Sequence, residues 1–422
     1  MKILWFITLT AALGASVPVS IAQASGPSLT TIYGSGSYVS VVFGANGVLY
    51  GTGKSGTVFE LAPPPAPGGP WTENVLHTFT GQNGDGSAPY ACPVRGRNGA
   101  LYGTTQEGGT TGLGIVYELA PPATQGGGWT ETVLYTFMGG TDGSYPFASL
   151  VVSKMGTLYG TTSVGGGAGT PVGCNGLGCG TVFELTAPAS AGGAWTESVL
   201  YRFTGGSDGG NPSAGLVIGP KGQLYGTTEY GGASADGVVF ELTPPSAPGG
   251  AWTETVLYTF TNQNGDGAFP WAGVVIGPNG VLYGTTTEGG TAGLGAVYDL
   301  APPATPGAAW TETVLYSFTG TSDGSDPLGG VIVNSAGVLY GTTLNFGGSP
   351  SCSGYYCGTV FALQPPASPG GTWTQTVLHS FSGGSQGAGP WAGLTMGKSG
   401  ALYGTTSVDG ASNTGTVFAL LP

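Results

Sequence analysis

From Trp310 to Phe318 the chain alternates: Val314, Tyr316 and Phe318 fall on one face of an extended segment, Thr313, Leu315 and Ser317 on the other. A two-residue period of this kind marks a strand. Three shorter apolar bursts precede it. AGVVIGPNG (Ala272 to Gly280) ends in a Pro-Asn-Gly turn suited to a hairpin, and VLYGTT and GAVYDL follow. A Gly-rich loop separates the second burst from the third, and a Pro/Gly loop the third from the fourth. No stretch beyond the N-terminal leader carries a helical period. The pattern predicts units of four short antiparallel strands.

The unit repeats along the chain. Leu-Tyr-Gly recurs at Tyr50, Tyr102, Tyr159, Tyr225, Tyr283, Tyr340 and Tyr403, at intervals of 52, 57, 66, 58, 57 and 63 residues. Trp-Thr recurs at Trp71, Trp129, Trp195, Trp252, Trp310 and Trp373. Seven copies of one landmark and six of the other mean that one unit is split between the ends. Thr30-Thr31-Ile32-Tyr33 matches a fourth strand (Thr313 to Tyr316), while the C-terminal unit stops after its third, Gly415 to Leu420. A linear solenoid would need end caps, and neither end resembles one. We therefore expect an all-β fold over residues 25–422: a seven-bladed β-propeller of four-stranded antiparallel blades, closed by the N-terminal strand pairing with the last blade. Each blade must refill the same packing slots, as Phe59, Tyr117, Phe183, Phe240, Tyr298, Phe361 and Phe418 do. A repeated residue is accordingly weak evidence of function.

The leader carries Lys2, an apolar run from Ile3 to Ala15 and Ala22-Gln23-Ala24. We read residues 1–24 as a secretory signal peptide and expect a secreted or periplasmic monomer without membrane insertion. Charged residues make up only 7% of the chain and the net charge is −13. That balance argues against nucleic acid or an anionic membrane as partner.

Candidate chemistry is sparse. His77 and His379 occupy the slot of Tyr135, Tyr201, Tyr258 and Tyr316, so both read as packed strand residues, and a Ser-His-Asp triad is hard to assemble. Glu60, Glu118, Glu184, Glu241 and Asp299 form one repeated position, and Glu73, Glu131, Glu197, Glu254 and Glu312 another; both read as solvated strand edges. Cys174/Cys179 and Cys352/Cys357 lie in enlarged loops of the third and sixth units and are expected to form local disulfides. A shared zinc site is the competing reading, and Cys92 is left over as a small buried thiol. No cofactor is expected. Asp85, Asp142, Asp208, Asp266 and Asp323 read as Asp-Gly turns, with calcium as the alternative suggested by GQNGDG and NQNGDG.

After each such turn comes Pro and then often an aromatic: Tyr90, Phe147, Trp271, Trp391. In a propeller, the loops from fourth to first strand and from second to third strand share one face. The expected ligand site is thus one channel mouth bearing Tyr90, Phe147, Trp271 and Trp391, with Asp85, Asp266 and the unrepeated Arg95 as polar members. Inter-blade packing is the competing reading of the aromatics.

The ordered combination LYGTT, GG, GTVFEL, TETVLYTFTG, DG, P and AGL resembles the GloVer tandem-repeat family of exported bacterial proteins over essentially the whole mature chain. The resemblance implies a propeller-like repeat protein at the cell exterior, and no established reaction or catalytic residue. Family members often carry a C-terminal anchor, which nothing after Leu420 resembles. The leading functional expectation is a non-catalytic binding or scaffold protein whose ligand is an extracellular glycan or protein. The alternative, a carbohydrate-active lyase or hydrolase, needs an unrepeated polar cluster at the mouth, for which Arg95, Asp85 and Glu107 are the candidates.

Overall fold

The computed structural model describes residues 26–422, apart from 35–38, 67, 125–126, 168–173, 175, 191, 248, 306, 349–355, 369 and 411–412. The expected signal peptide lies outside the described residues. The fold is a seven-bladed β-propeller. Each blade is a four-stranded antiparallel sheet, with strands running in chain order from the axis outward. In blade 1 these are Val42–Phe43, Leu49–Gly53, Thr57–Ala62 and Thr72–Thr78. Blade 7 has its first three at Thr395–Met396, Leu402–Thr405 and Val417–Leu421. Its outer strand is Ser28–Tyr33, which pairs Ser28 with Leu421 and Tyr33 with Val417. Closure occurs as the two chain ends implied.

Four of the five letters in Leu-Tyr-Gly-Thr-Thr have a distinct packing role, and blade 4 shows all four. Leu224 is fully buried. Gly226 leaves room for the ring of Phe240 on the next strand, which a Cβ there would approach to 2.6 Å. Thr227 donates its hydroxyl proton to the carbonyl of Ala272 on the innermost segment of blade 5, at 3.0 Å. Equivalent bonds run from Thr104 to Ala148, Thr161 to Ala214, Thr285 to Gly329 and Thr342 to Ala392, and Thr405 to Val39 closes the ring. Tyr225 packs edge-on against Trp310 of the next blade, centroids 6.2 Å apart.

The same Tyr–Trp joint recurs at Tyr50–Trp129, Tyr102–Trp195, Tyr159–Trp252, Tyr283–Trp373 and Tyr403–Trp71. Tyr340 is the exception, because the N-terminal strand of blade 7 carries Pro27 where the others carry Trp. Phe slots such as Phe183, Phe240 and Phe418 are fully buried between blades, each contributing roughly 2 kcal/mol of apolar burial.

Candidate ligand-binding mouth

The loop entering each blade and the loop joining its second and third strands pair with one another. Gly86–Ser87 pairs with Glu107–Gly108, and Gly267–Ala268 with Glu288–Gly289. Single bridges join Ser144 to Val164, Gly210 to Tyr230, Ser325 to Asn345 and Ala388 to Val408. One face therefore carries both loop sets.

On that face the entering loop follows a rule that spacing alone did not reveal. Ala88, Tyr145, Asn211, Phe269 and Asp326 all sit in the left-handed region, with φ between 54° and 59°, and Gly389 fills the equivalent place. This backbone costs a non-glycine residue about 1 kcal/mol or more and persists only where neighbours fix it. Here they do. The Phe269 N–H donates to Asp236 of the preceding blade at 2.9 Å, while its carbonyl accepts from Thr287 N–H of the following blade at 3.1 Å. Tyr145 is held likewise between Leu113 and Ser163, and Asn211 between Cys179 and Glu229. A buried Pro comes next, and the residue after it is aimed at the axis.

Those aimed residues are Tyr90, Phe147, Ser213, Trp271, Leu328 and Trp391. Tyr90 and Phe147 lie 5.5 Å apart between ring centroids, and Phe147 meets Trp271 edge-on at 6.0 Å. With Trp391 they wall a cavity of about 500 Å³, completed by Tyr356, Ser407 and Val408. The four aromatics singled out in the sequence thus converge. Below them the seven innermost segments close the axis, with Cys92, Ser149, Gly273 and Gly330 in the floor. Cys92 is enclosed in that floor, and burial pushes its thiol up to about 12.

Tyr356 was not anticipated. It stands half-exposed in the left-handed region at φ 57°, its N–H bonded to Asn345 Oδ1 at 2.9 Å. The available signal was the contrast between Cys-Ser-Gly-Tyr-Tyr-Cys in the sixth unit and Cys-Asn-Gly-Leu-Gly-Cys in the third. Cys174 and Cys179 form the expected disulfide. Cys357 is disulfide-bonded too; Cys352 lies outside the described residues.

The polar members sit elsewhere. Asp266 Oδ2 accepts from Thr261 N–H (2.8 Å) and its hydroxyl (2.7 Å), and Oδ1 accepts from Gly267 N–H at 2.7 Å. Asp85 Oδ2 accepts the same pair of bonds from Thr80, and its other oxygen lies 3.5 Å from His77 Nε2. Both carboxylates are committed to their own turns, which favours the turn reading over a calcium loop. Arg95 is at the opposite end of the inner strand, paired with Leu101 beside the Gly99 hairpin. The structure does not bring it to Asp85 or Glu107. Polar groups near the mouth lie instead in blades 4 and 6. In blade 6, Asp326 Oδ2 accepts from Ser325 Oγ at 2.9 Å and from Asn345 Nδ2 at 2.6 Å. In blade 4, Asn211 Nδ2 donates to buried Glu229 at 2.7 Å, and Ser213, which takes the place of an aromatic, donates to Asn211 Oδ1.

One sequence expectation needs correction. Glu131, Glu197, Glu254, Glu312 and, in the other set, Asp299 are not solvated edges, because each is half-buried with one carboxylate oxygen sealed and unpartnered among the described residues. Burial, reinforced by Asp142, Asp208 and Asp266 of the preceding joint respectively, pushes Glu197, Glu254 and Glu312 up to about 7. Their ordinary value is about 4.3, so the folded protein binds these protons more tightly than the unfolded chain. Their contribution is then full below about pH 4.3 and is lost as pH rises through 7. Thermal melts should accordingly give a higher Tm at pH 5 than at pH 8, and the triple Glu→Gln variant should flatten that slope and melt higher at pH 8. Gln375 and Leu29 already stand at this position in blades 6 and 7. An unchanged slope in the variant would refute the assignment.

A profile of the Gloeobacter/Verrucomicrobia repeat matches residues 37–265 and 246–422. The chain belongs to this repeat family. Within the Gloeobacter/Verrucomicrobia repeat, the motif letters are accounted for by the inter-blade joints above. No curated protein matches the sequence. Among solved structures, a proposed 6-phosphogluconolactonase from Bacteroides uniformis is similar, at 14% identity and a TM-score of 0.50, covering 85% of this chain and 88% of that one. A Trichoderma reesei protein of carbohydrate-active enzyme family AA12 aligns at 14% identity and a TM-score of 0.44, over 94% and 96% of the two chains. At such identity the first likeness concerns the fold alone, and the second carries no argument.

Proposed function

We propose that the protein is an exported, non-catalytic binding propeller whose aromatic mouth holds a neutral carbohydrate. The observation that carries this reading is the composition of the cavity wall among the described residues: five aromatics contributed by loops of several blades, with Ser407 and Val408 and no charged side chain in the lining. Aromatic faces stack on the C–H faces of pyranose rings, and a volume near 500 Å³ suits a small ligand. The Cys174–Cys179 bridge fits an oxidising compartment after export.

Glycan-array screening followed by calorimetry tests the reading. Trp271→Ala and Trp391→Ala should each weaken binding about 30-fold, the roughly 2 kcal/mol typical of a central aromatic anchor, with unchanged circular dichroism. Wild-type affinity in both variants would remove the mouth as the site.

A further inference from the structure

The rim of the mouth is uneven. Second and third strands are joined by residues 106–114, 163–180, 229–237, 287–295, 344–358 and 406–416 in blades 2 to 7. In blade 1 the same connection is only Lys54, Ser55 and Gly56. Beside this low point lies a second cavity of about 310 Å³, lined by Gly53 to Gly56, Phe79 and Ser87 to Tyr90. Tyr90 borders both cavities. Lys54 also links them, since its ammonium donates to the carbonyl of Ser407, a residue of the mouth wall.

The floor is tightly packed between neighbouring blades. A Cβ on Gly273 would lie 2.4 Å from the Gly215 carbonyl oxygen, and one on Gly329 2.4 Å from the Gly393 nitrogen, so neighbouring segments touch backbone to backbone at the axis. Among the described residues the connection bordering the mouth is shortest at blade 1, which leaves the way outward least obstructed there.

We infer that the mouth takes one end of a carbohydrate chain, and that the chain then runs outward over blade 1, seating its next sugar in the side cavity. The inference rests on the carbohydrate reading above and adds a direction and a second subsite to it. Phe79 and Tyr90 supply apolar surface for the second sugar, while Ser55, Ser87 and the exposed backbone of the short turn supply hydrogen-bonding groups. A segment from the middle of a polymer would need a second way out and is the competing outcome of the test.

Calorimetry with β-1,4-, β-1,3- and α-1,4-linked gluco-oligosaccharides of one, two and four units tests this. For a series bound by the wild type, affinity should rise at least tenfold from one unit to two and little beyond. Ser55→Trp, at an exposed turn, should fill the side cavity, abolish the gain from the second unit and leave monosaccharide binding unchanged. With the matching polysaccharide, protein bound should track the number of chain ends. Binding that needs Trp271 yet scales with polymer length, or a length dependence that survives Ser55→Trp, overturns the chain-end inference alone. Absence of binding across the whole panel overturns the carbohydrate reading and this inference with it.

Discussion

A protein lacking residues 28–33 should fail to fold cooperatively and should aggregate at concentrations where the intact chain does not. Removing Ser28–Tyr33 strips the outer strand from blade 7 and bares the edge of Val417–Leu421. An exposed strand edge of this apolarity (Val-Phe-Ala-Leu-Leu) is a template for pairing with other chains. The loss also reaches the joint with blade 1, where Ile32 and Tyr33 pack beside Val41, Phe59 and Val417. Every blade contacts two neighbours, so the damage cannot stay local. Size-exclusion chromatography and denaturant melts read the result. A graded version, Tyr33→Ala, should cost about 2 kcal/mol, below the figure for fully buried aromatics because Tyr33 is only half-buried. A truncated protein that remains monomeric with an unchanged midpoint would show that the ring does not depend on its seal.

Gly329→Ala should be nearly as damaging, although it adds a single methyl group. The new carbon would meet Gly393 nitrogen at 2.4 Å and Ala392 carbonyl carbon at 2.5 Å. Both are backbone atoms on the axial ring and cannot rotate aside, so blades 6 and 7 must move apart. Overpacking of this kind typically costs 1–3 kcal/mol, and more where backbone must shift; we expect at least about 3 kcal/mol. Gly128→Ala is the matched control, since nothing lies within 4 Å of a Cβ there. Equal melting temperatures for the two variants would contradict the close approach at the axis.

The architecture was open to reading because its seven copies of Leu-Tyr-Gly impose a count, and because the two incomplete ends fit one another. Trp271 and Trp391 were legible for a related reason: they depart from an otherwise repeated frame at a position whose face the topology dictates. Three things were not. The half-buried state of Glu254 and its fellows depends on how the next blade leans over them, a tertiary matter that a strand's period does not encode. Arg95 was unrepeated, but it sits beside the Gly99 hairpin at the end of the inner segment away from the mouth, and how far along that segment the mouth lies is set by the loops that precede it. Tyr356 lies in a loop without periodicity, so only its unlikeness to the third unit marked it. The turn aspartates were identified correctly as turn residues, yet their bonds to neighbouring hydroxyls, such as Tyr316 to Asp323 at 3.0 Å, emerge only in three dimensions.

The left-handed residue and the buried proline behind each axial side chain separate two tasks that most binding proteins entangle. At five of the six places backbone bonds to both adjacent blades set where the following side chain points, and at Ala88 the bond to Gln106 does so: Tyr, Phe, Ser, Trp, Leu and Trp occupy equivalent places around the circle. The circle is in effect a six-letter word written on a fixed typeface. Lineages can respell it without disturbing the scaffold, and a designer seeking new recognition should randomise those six letters first.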